Sequence, residues 1–584
     1  MRIHLDWQEQ EAYNFLFNCL HWSFALGAIF SLDSITAAKS RYGDRKSFVT
    51  ANITGAAAAA VTFLLLYFLA GENPEDTYLR YKTISFIASA RVSAAIFVSF
   101  LTFVVLAGYQ NDTSDFASSL FMTHKAFFIA LIYGIVIMSG TSGVAGAVRA
   151  LLYKGMSSKV YMYIGTVSGF LAFTIFTGYF PDFTKGVTDD HRAVAQKQPR
   201  FVEVLFQYIM VPIVLAMTVV LVLWAGKTML GGMKANFVRL SAIATSYAIG
   251  GIWLHIMVTH NDTGPAGFYR KVYPVTAIFI LAFEAWAFVI QLQKYGLKTT
   301  EYNFIIVWIV ALVAAVLLIA KKQKAHHIIV ASACAAAIIA VFPAVGFYDL
   351  PVSAQVNRLE HLLQSQGMLE NDKIIPAKEE PEKEVREKIT DAVSFLTSHQ
   401  NKKLPAWFEK NLMNSSKFST IMGFEQTWPE SDDYYGETPG DYMSINLYLE
   451  PSAVDIIGYK WAVNLQDYSE KGTGEGISLD GVRGTYEIFW TINQQSNIPS
   501  LEITLDDRTI IENDMNDYID RITSKYPPQN SKFNKATLED MSLELESPEI
   551  TVLLVFRNID VNVNVKEDQI SYFLYLEAMY IREK

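Results

Sequence analysis

Hydrophobic residues come in long, nearly unbroken blocks through the first 350 positions and change to alternation with polar residues beyond Asn414. A bilayer's hydrocarbon core, about 30 Å thick, takes roughly 20 apolar residues per helix. Ten stretches meet that length: 12–32, 50–70, 88–108, 124–146, 160–180, 203–225, 238–258, 273–292, 302–320 and 328–347. The clearest are AAAAAVTFLLLYFLA (56–70), VPIVLAMTVVLVLWAG (211–226) and NFIIVWIVALVAAVLLIA (303–320). The weakest is the first, which holds Asn14, Asn18 and His21. The start, MRIHLDWQEQEAYN, is polar, and no short apolar core with a small-residue cleavage site follows it. The first helix is therefore expected to act as its own insertion signal.

Pro351 to His399 reads as amphipathic helix. Leu359, Leu362 and Leu363 form one stripe, Gly367 is a stop, and Val385, Ile389, Ala392, Val393 and Leu396 follow at helical spacing. Pro381 suits a first turn, and Glu382–Arg386 and Glu384–Lys388 are favourable pairs four residues apart. NDKIIPAKEEP between the two helices reads as an exposed linker. Period-two runs then predict strands at 442–450, 454–465, 485–492, 500–506, 550–556, 558–565 and 570–581, with a helix over 511–526. The expected organisation has three parts. A polytopic α-helical membrane domain of about ten transmembrane helices covers 1–349. An amphipathic helical connector covers 350–405, and a soluble α+β domain with an antiparallel sheet covers 406–584.

Composition sharpens this division. The 584 residues are 51% hydrophobic and 18% charged, too apolar for an ordinary soluble protein. Residues 1–350 hold 26 Lys and Arg against 18 Asp and Glu, while 351–584 hold 22 against 40. An acidic soluble half repels phosphate, so nucleic acid is not an expected partner; the lipid bilayer is. Cys19 and Cys334, the only cysteines, both lie in apolar segments, which excludes a disulfide scaffold. With the N-terminus outside, the basic residues in and beside inside loops 33–49, 109–123, 181–202, 259–272 and 321–327 number 14, against 11 on the other side. That bias predicts a multi-pass cell-membrane protein with its C-terminal domain outside the cytoplasm.

Polar residues inside the helices carry the candidate chemistry. Glu284 sits mid-span in ILAFEAWAFVI, where a carboxylate costs about 2.5–3.5 kcal/mol on insertion scales. Thr276 and Gln291 lie eight and seven residues from it, on one helical face. Functionally, Glu284, Thr276 and Gln291 would form an ion, proton or ligand site; structurally, Glu284 would be a protonated or hydrogen-bonded carboxyl. Arg91 reads as snorkelling at a helix boundary and His255 as interfacial. Gly140, Gly143 and Gly146 read as a close helix contact. Pro212, Pro274 and Pro343 all fall in the second half of the bundle, which weighs against the paired broken helices of transporters.

The connector 293–301 reads as a tight helix hairpin. Gly296 can close one helix, and Thr299 or Thr300 can cap the next, with Glu301 in its first turn. Its most specific residues are Tyr295-Gly296-Leu297 with Glu301-Tyr302, followed later by Ser353, Gln355, Arg358 and Leu359. In these residues, and in the order of helices from Phe201 to Ala377, the chain resembles the bacterial multi-pass membrane family catalogued as domain of unknown function 4153. Lys298-Thr299-Thr300-Glu301 departs from that family's usual Thr-Glu step. The resemblance implies an integral membrane protein and carries no activity, substrate or catalytic residue.

Elsewhere chemistry is sparse. No HExxH, CxxC, GxxxxGK[ST] or GxSxG motif occurs, so no catalytic, cofactor or metal residues are assigned. GTGEG (472–476) reads as a hairpin and the acidic run in WPESDDYYGETPGDY (428–442) as a solvated loop. Asn111-Asp112-Thr113 and Asn261-Asp262-Thr263 read as a chance match. The expected function is a cell-envelope sensor or interaction protein whose outward domain binds a protein or small molecule. The alternative is a transporter or permease with Glu284 in the pathway. An intramembrane enzyme ranks last.

Overall fold

The computed structural model describes residues 2–5, 7–73, 81–108, 115–184, 190–230, 237–399, 404–409, 412–428, 442–464, 476–492, 498–528, 532–564 and 569–584. The tripeptide 111–113, the acidic run 430–441 and positions 472–475 of the Gly-rich segment lie outside the described residues. The chain forms two compact units, Met1–Pro429 and Glu430–Lys584. The division therefore falls beyond the expected boundary at 405, because residues 350–428 belong with the bundle.

The first unit opens with α1 (Trp7–Arg41), α2 (Arg45–Leu69), a two-residue hairpin of β1 (Gly71–Glu72) and β2 (Thr83–Ile84), α3 (Phe86–Gly108), α4 (Phe116–Leu151) and α5 (Lys159–Gly178). Next come α6 (Asp190–Gln196), α7 (Arg200–Val204), a π-helical turn (Leu205–Met210) and α8 (Val211–Leu230). The π-turn precedes Pro212, which has no N–H for a regular turn; that is the break expected there. Then follow α9 (Phe237–Met257), α10 (Gly264–Tyr295), α11 (Thr299–Lys321), a 3-10 turn (Lys322–Ala325) and α12 (His326–Ala340).

Among the described residues nine helical runs are long and apolar enough to cross a membrane, not ten. The last, Thr299–Ala340, contains both of the final expected stretches. Alone, the 15-residue α12 is about 22 Å long, short of a hydrocarbon core. Lys322, at φ +50°, ends α11, and Ala314, Leu318, Ala325 and Ile329 pack together where α12 folds back.

Polar contacts join one set of loops at one end of the bundle. Lys39 pairs with Asp182 at 3.1 Å, and Arg192 donates to the Ala107 carbonyl. Gln198 donates to the Met257 carbonyl, and His260 meets Asp115 at 2.9 Å. The Phe116 ring touches the His326 and His327 rings. Close helix packing uses other glycines than those expected. A Cβ on Gly27 would lie 2.6 Å from Ala59 and one on Gly55 2.0 Å from Ser31, whereas Gly140 and Gly143 face open space. His255, near the end of α9, is buried within the bundle, and Arg91 reaches the Val341 carbonyl at 3.3 Å.

A helical layer completes this unit: α13 (Leu350–Ser365), β3 (Leu369–Glu370), β4 (Lys373–Ile374), α14 (Lys383–Thr397) and α15 (Ser415–Met422). Leu359, Leu363, Ile389, Val393 and Leu396 of the expected stripes share its core with Trp407 and Phe418. Gly367 stops α13 at φ +65°. The expected linker instead starts with a hairpin, β3–β4, turning on Asn371 and Asp372 at φ +48° and +56°. Asn and Asp tolerate the two positive φ angles of that tight turn. Glu384–Lys388 pairs as expected, but Arg386 takes Glu380 instead of Glu382.

The second unit is sheet-rich. Its strands are β5 (Tyr442–Leu449), β6 (Trp461–Val463), β7 (Ile477–Asp480), β8 (Thr485–Ile492), β9 (Pro499–Leu505), β10 (Arg508–Asp514), β11 (Lys532–Ala536), β12 (Ser542–Glu546), β13 (Ile550–Asn564) and β14 (Gln569–Glu583). One helix, α16 (Asn516–Lys525), lies between β10 and β11. An antiparallel meander β10-β9-β8-β7 shares one core with a six-stranded sheet ordered β11-β5-β13-β14-β6, with β12 also on β13. All pairings are antiparallel except β11 with β5, which is parallel. The two expected strands 550–556 and 558–565 are one, β13, whose bulge at Phe556–Asn558 absorbs the phase slip. The expected helix over 511–526 loses its first residues to β10, because Ile511 pairs with Ile503.

Candidate functional site

Helix α10 organises the polar chemistry of the bundle. Thr263 precedes it, Pro265 occupies its first turn, and Pro274 sits inside it. At 32 residues it is about 48 Å long, enough to pass a bilayer with its headgroups.

Thr276, Glu284 and Gln291 lie on one face, as their spacing requires, but they meet different partners. Thr276 Oγ1 donates to the Val272 and Tyr273 carbonyls and lies 3.5 Å from the Tyr247 hydroxyl. Tyr247 in turn meets Thr218 at 2.8 Å, linking α8, α9 and α10. Gln291 donates to Glu301 Oε1 on α11 at 3.0 Å. Glu284 is 2% exposed and its Oε1 has no hydrogen-bond partner among the described residues. Tyr247 and Tyr273 lie within Coulombic reach of it. The three residues are therefore not one site.

The residues of the connector do converge. Gly296, at φ +70° and ψ −174°, ends α10 in a region that only glycine occupies readily. A Cβ there would stand 2.8 Å from Arg358 Cδ and 2.9 Å from Gln355 Nε2. Those two side chains, three residues apart on α13, grip the end of α10. Gln355 Nε2 donates to the Tyr295 and Leu297 carbonyls at 2.8 and 3.1 Å. Arg358 donates to the Tyr295 carbonyl at 2.7 Å and to that of Lys294 at 2.8 Å. Carbonyls left open at a helix C-terminus are thus satisfied from a neighbouring helix. Asp391 on α14 closes the group, pairing with Arg358 at 3.2 Å and with Lys298. Its partners neutralise a carboxylate that is only 16% exposed.

Glu301 and Tyr302 lie just beneath, both buried. Glu301 stands in the first turn of α11, as expected, but the residue preceding that helix is Lys298 and no threonine side chain caps it. Thr299 Oγ1, Glu301 Oε2 and the Tyr302 hydroxyl have no hydrogen-bond partner among the described residues. Asp391 carries no sequence signal of its role, since it sits in an ordinary amphipathic helix. No group of three or more metal-ligating side chains occurs among the described residues.

The chain was compared with family models, with curated proteins and with solved structures, and nothing matched in any of the three. The fold itself defines a class: a multi-pass membrane protein with a helical layer on its bundle and a sheet-rich C-terminal unit.

Proposed function

We propose that the chain is a bacterial cell-envelope sensor or interaction protein, with its sheet-rich unit outside the cytoplasm binding a protein or small molecule. The observation that carries this is the grip of Gln355, Arg358 and Asp391 on the α10–α11 connector. Charge-assisted bonds of this kind are the strong ones. They tie the end of a membrane-crossing hairpin to the helical layer from which the sheet-rich unit follows in the chain. Such a joint suits anchoring and relay. The same residues, Tyr295, Gly296, Gln355 and Arg358, support kinship with the 4153 family. With α12 returning the chain from Lys322 to the end of the bundle where α13 grips α10, the 14-to-11 bias of basic residues supports the outward location.

Val482 is 87% exposed in the sheet-rich unit, so Val482→Cys offers a thiol for a membrane-impermeant maleimide. Cys19 is buried and Cys334 lies in the bundle, which keeps the background low. Intact spheroplasts should label. Labelling only after lysis would sink the outward location.

One observation favours the transporter reading: the unpartnered Glu284 Oε1 beside the Thr218–Tyr247–Thr276 chain of hydroxyls. A cavity of about 630 Å³ near the start of α10 is lined by other residues than Glu284. If Glu284 is in a pathway, Glu284→Gln abolishes proton-coupled uptake in proteoliposomes while the protein remains folded.

A further inference from the structure

That cavity lies where α9 ends, α10 begins and α11 turns into α12. Lys271 on its wall and Lys294 at the gripped end of α10 are 23 residues apart, about 35 Å along a helix. The cavity therefore opens at the opposite end of the bundle from the Arg358 joint.

Its lining is strongly cationic. Arg270, Lys271, Lys321, Lys322 and Lys324 all contribute, against one acid, Asp262. Asp262 is 96% exposed and faces Arg270 at 3.5 Å. Arg270 is also held by the Val258 and Thr259 carbonyls, so its guanidinium is fixed in place. The four lysines have no acidic partner among the described residues. Four uncompensated ammonium groups on one cavity repel one another, and an anion would relieve that repulsion.

A second feature points the same way. His255 is 5% exposed and lines the cavity. Its Nε2 faces the Arg270 carbonyl at 3.3 Å, while Nδ1 has no hydrogen-bond partner among the described residues. A buried polar atom without a partner in a polar, roomy cavity is a place for a ligand atom. The walls also carry Val275 and Ile319, 58% and 48% exposed, on membrane-crossing helices. Cations and exposed apolar side chains on one cavity match an amphiphile with an anionic head.

We propose that this cavity binds a phosphate-bearing anion, with Arg270, Lys271, Lys321, Lys322 and Lys324 as its cationic contacts. The phosphate comes from an anionic phospholipid headgroup or from a soluble phosphate, and the chemistry of recognition is shared. Basic pockets between membrane helices hold anionic headgroups in this manner, and the attraction falls with salt.

The test uses the full chain in zwitterionic detergent and a fluorescent short-chain phosphatidylglycerol as probe. Saturable binding is expected, weakening as salt rises. The variant Lys321→Gln/Lys322→Gln/Lys324→Gln replaces three exposed side chains and should keep the wild-type melting temperature. At about fivefold per lysine removed near a membrane surface, its affinity should fall on the order of 100-fold. Lys154→Gln, outside the cavity, should bind like wild type. Competition separates the sources. Displacement by unlabelled short-chain phosphatidylglycerol but not by millimolar inorganic phosphate assigns the lipid headgroup. Equal displacement by inorganic phosphate assigns a soluble phosphate. Unsaturable binding, or equal affinity of the triple-lysine variant and wild type, overturns the proposal.

Discussion

Replacing Gly296 by alanine tests the joint between bundle and helical layer most directly. At φ +70° and ψ −174° an alanine backbone carries about 1–3 kcal/mol of strain. The new Cβ would also stand 2.8 Å from Arg358 Cδ and 2.9 Å from Gln355 Nε2. Neither atom is the free end of a loose side chain, because both side chains bond the carbonyls beside Gly296. Moving Arg358 away weakens its bonds to Lys294 and Tyr295, each worth about 1.5–3 kcal/mol as a bond to a charged donor. Strain plus the loss of one of these bonds is about 2.5–6 kcal/mol, a shift of roughly 70-fold or more in the docking equilibrium of α13 and α14. Hydrogen exchange followed by mass spectrometry on the full chain should show α13 and α14 amides exchanging faster, with β13 and β14 unchanged. In an Arg358→Ala background the Cβ meets no Cδ, so Gly296→Ala should then cost its backbone strain and the Gln355 contact but not the Arg358 bonds. The two substitutions should therefore combine less than additively, as expected for side chains in contact. Unchanged exchange in Gly296→Ala, or strict additivity with Arg358→Ala, would refute the reasoning.

A fragment comprising 430–584 should fold without detergent and melt cooperatively, since both of its sheets share one core. Within it, Phe556 is fully buried and stacks on Tyr518 at 4.9 Å, so Phe556→Ala should lower urea stability by about 3–5 kcal/mol. Asp540 gives a pH prediction. Burial works against its charge, but hydrogen bonds from Lys525, Tyr526 and Thr537 outweigh that and hold its carboxyl below the usual range. Its contribution is therefore complete above the unfolded carboxyl value near 4 and is lost as pH falls through the lower folded value. Asp540→Asn should destabilise the fragment at pH 7, with a gap to wild type that narrows steadily below pH 4 in denaturant titrations. For Glu284 as a structural carboxyl, Glu284→Gln should change stability in detergent by less than about 0.5 kcal/mol, and Glu284→Leu should raise the melting temperature. Destabilisation by both would show instead that the carboxyl makes a bond essential to the bundle.

The sequence alone determined which parts of the chain form long apolar helices, because that property is local. Twenty apolar residues in a row have one stable environment, whatever they touch. It determined β5, β8, β9 and β14 to within a few residues for the same reason, since alternation marks a half-buried strand. It also marked Gly296, Gln355 and Arg358, though not what they do. Tertiary structure decided the rest. Whether the turn at Lys322–Ala325 separates two spans depends on how α12 packs back on α11. Ile511 has a helical context in sequence and became strand because Ile503 offered a pairing partner. Thr276, Glu284 and Gln291 share a face by spacing, yet a face is not a site, and their neighbours come from α9 and α11. Asp391 became part of the joint only because α14 brings it to Arg358 and Lys298, 33 and 93 residues away in the chain. The cationic cavity likewise gathers Arg270 and Lys271 from the start of α10 with Lys321 from the end of α11 and Lys322 and Lys324 from the turn after it. Periodicity reports what a residue's own segment will do, whereas electrostatic and hydrogen-bond partners are chosen by the packing of segments distant in the chain.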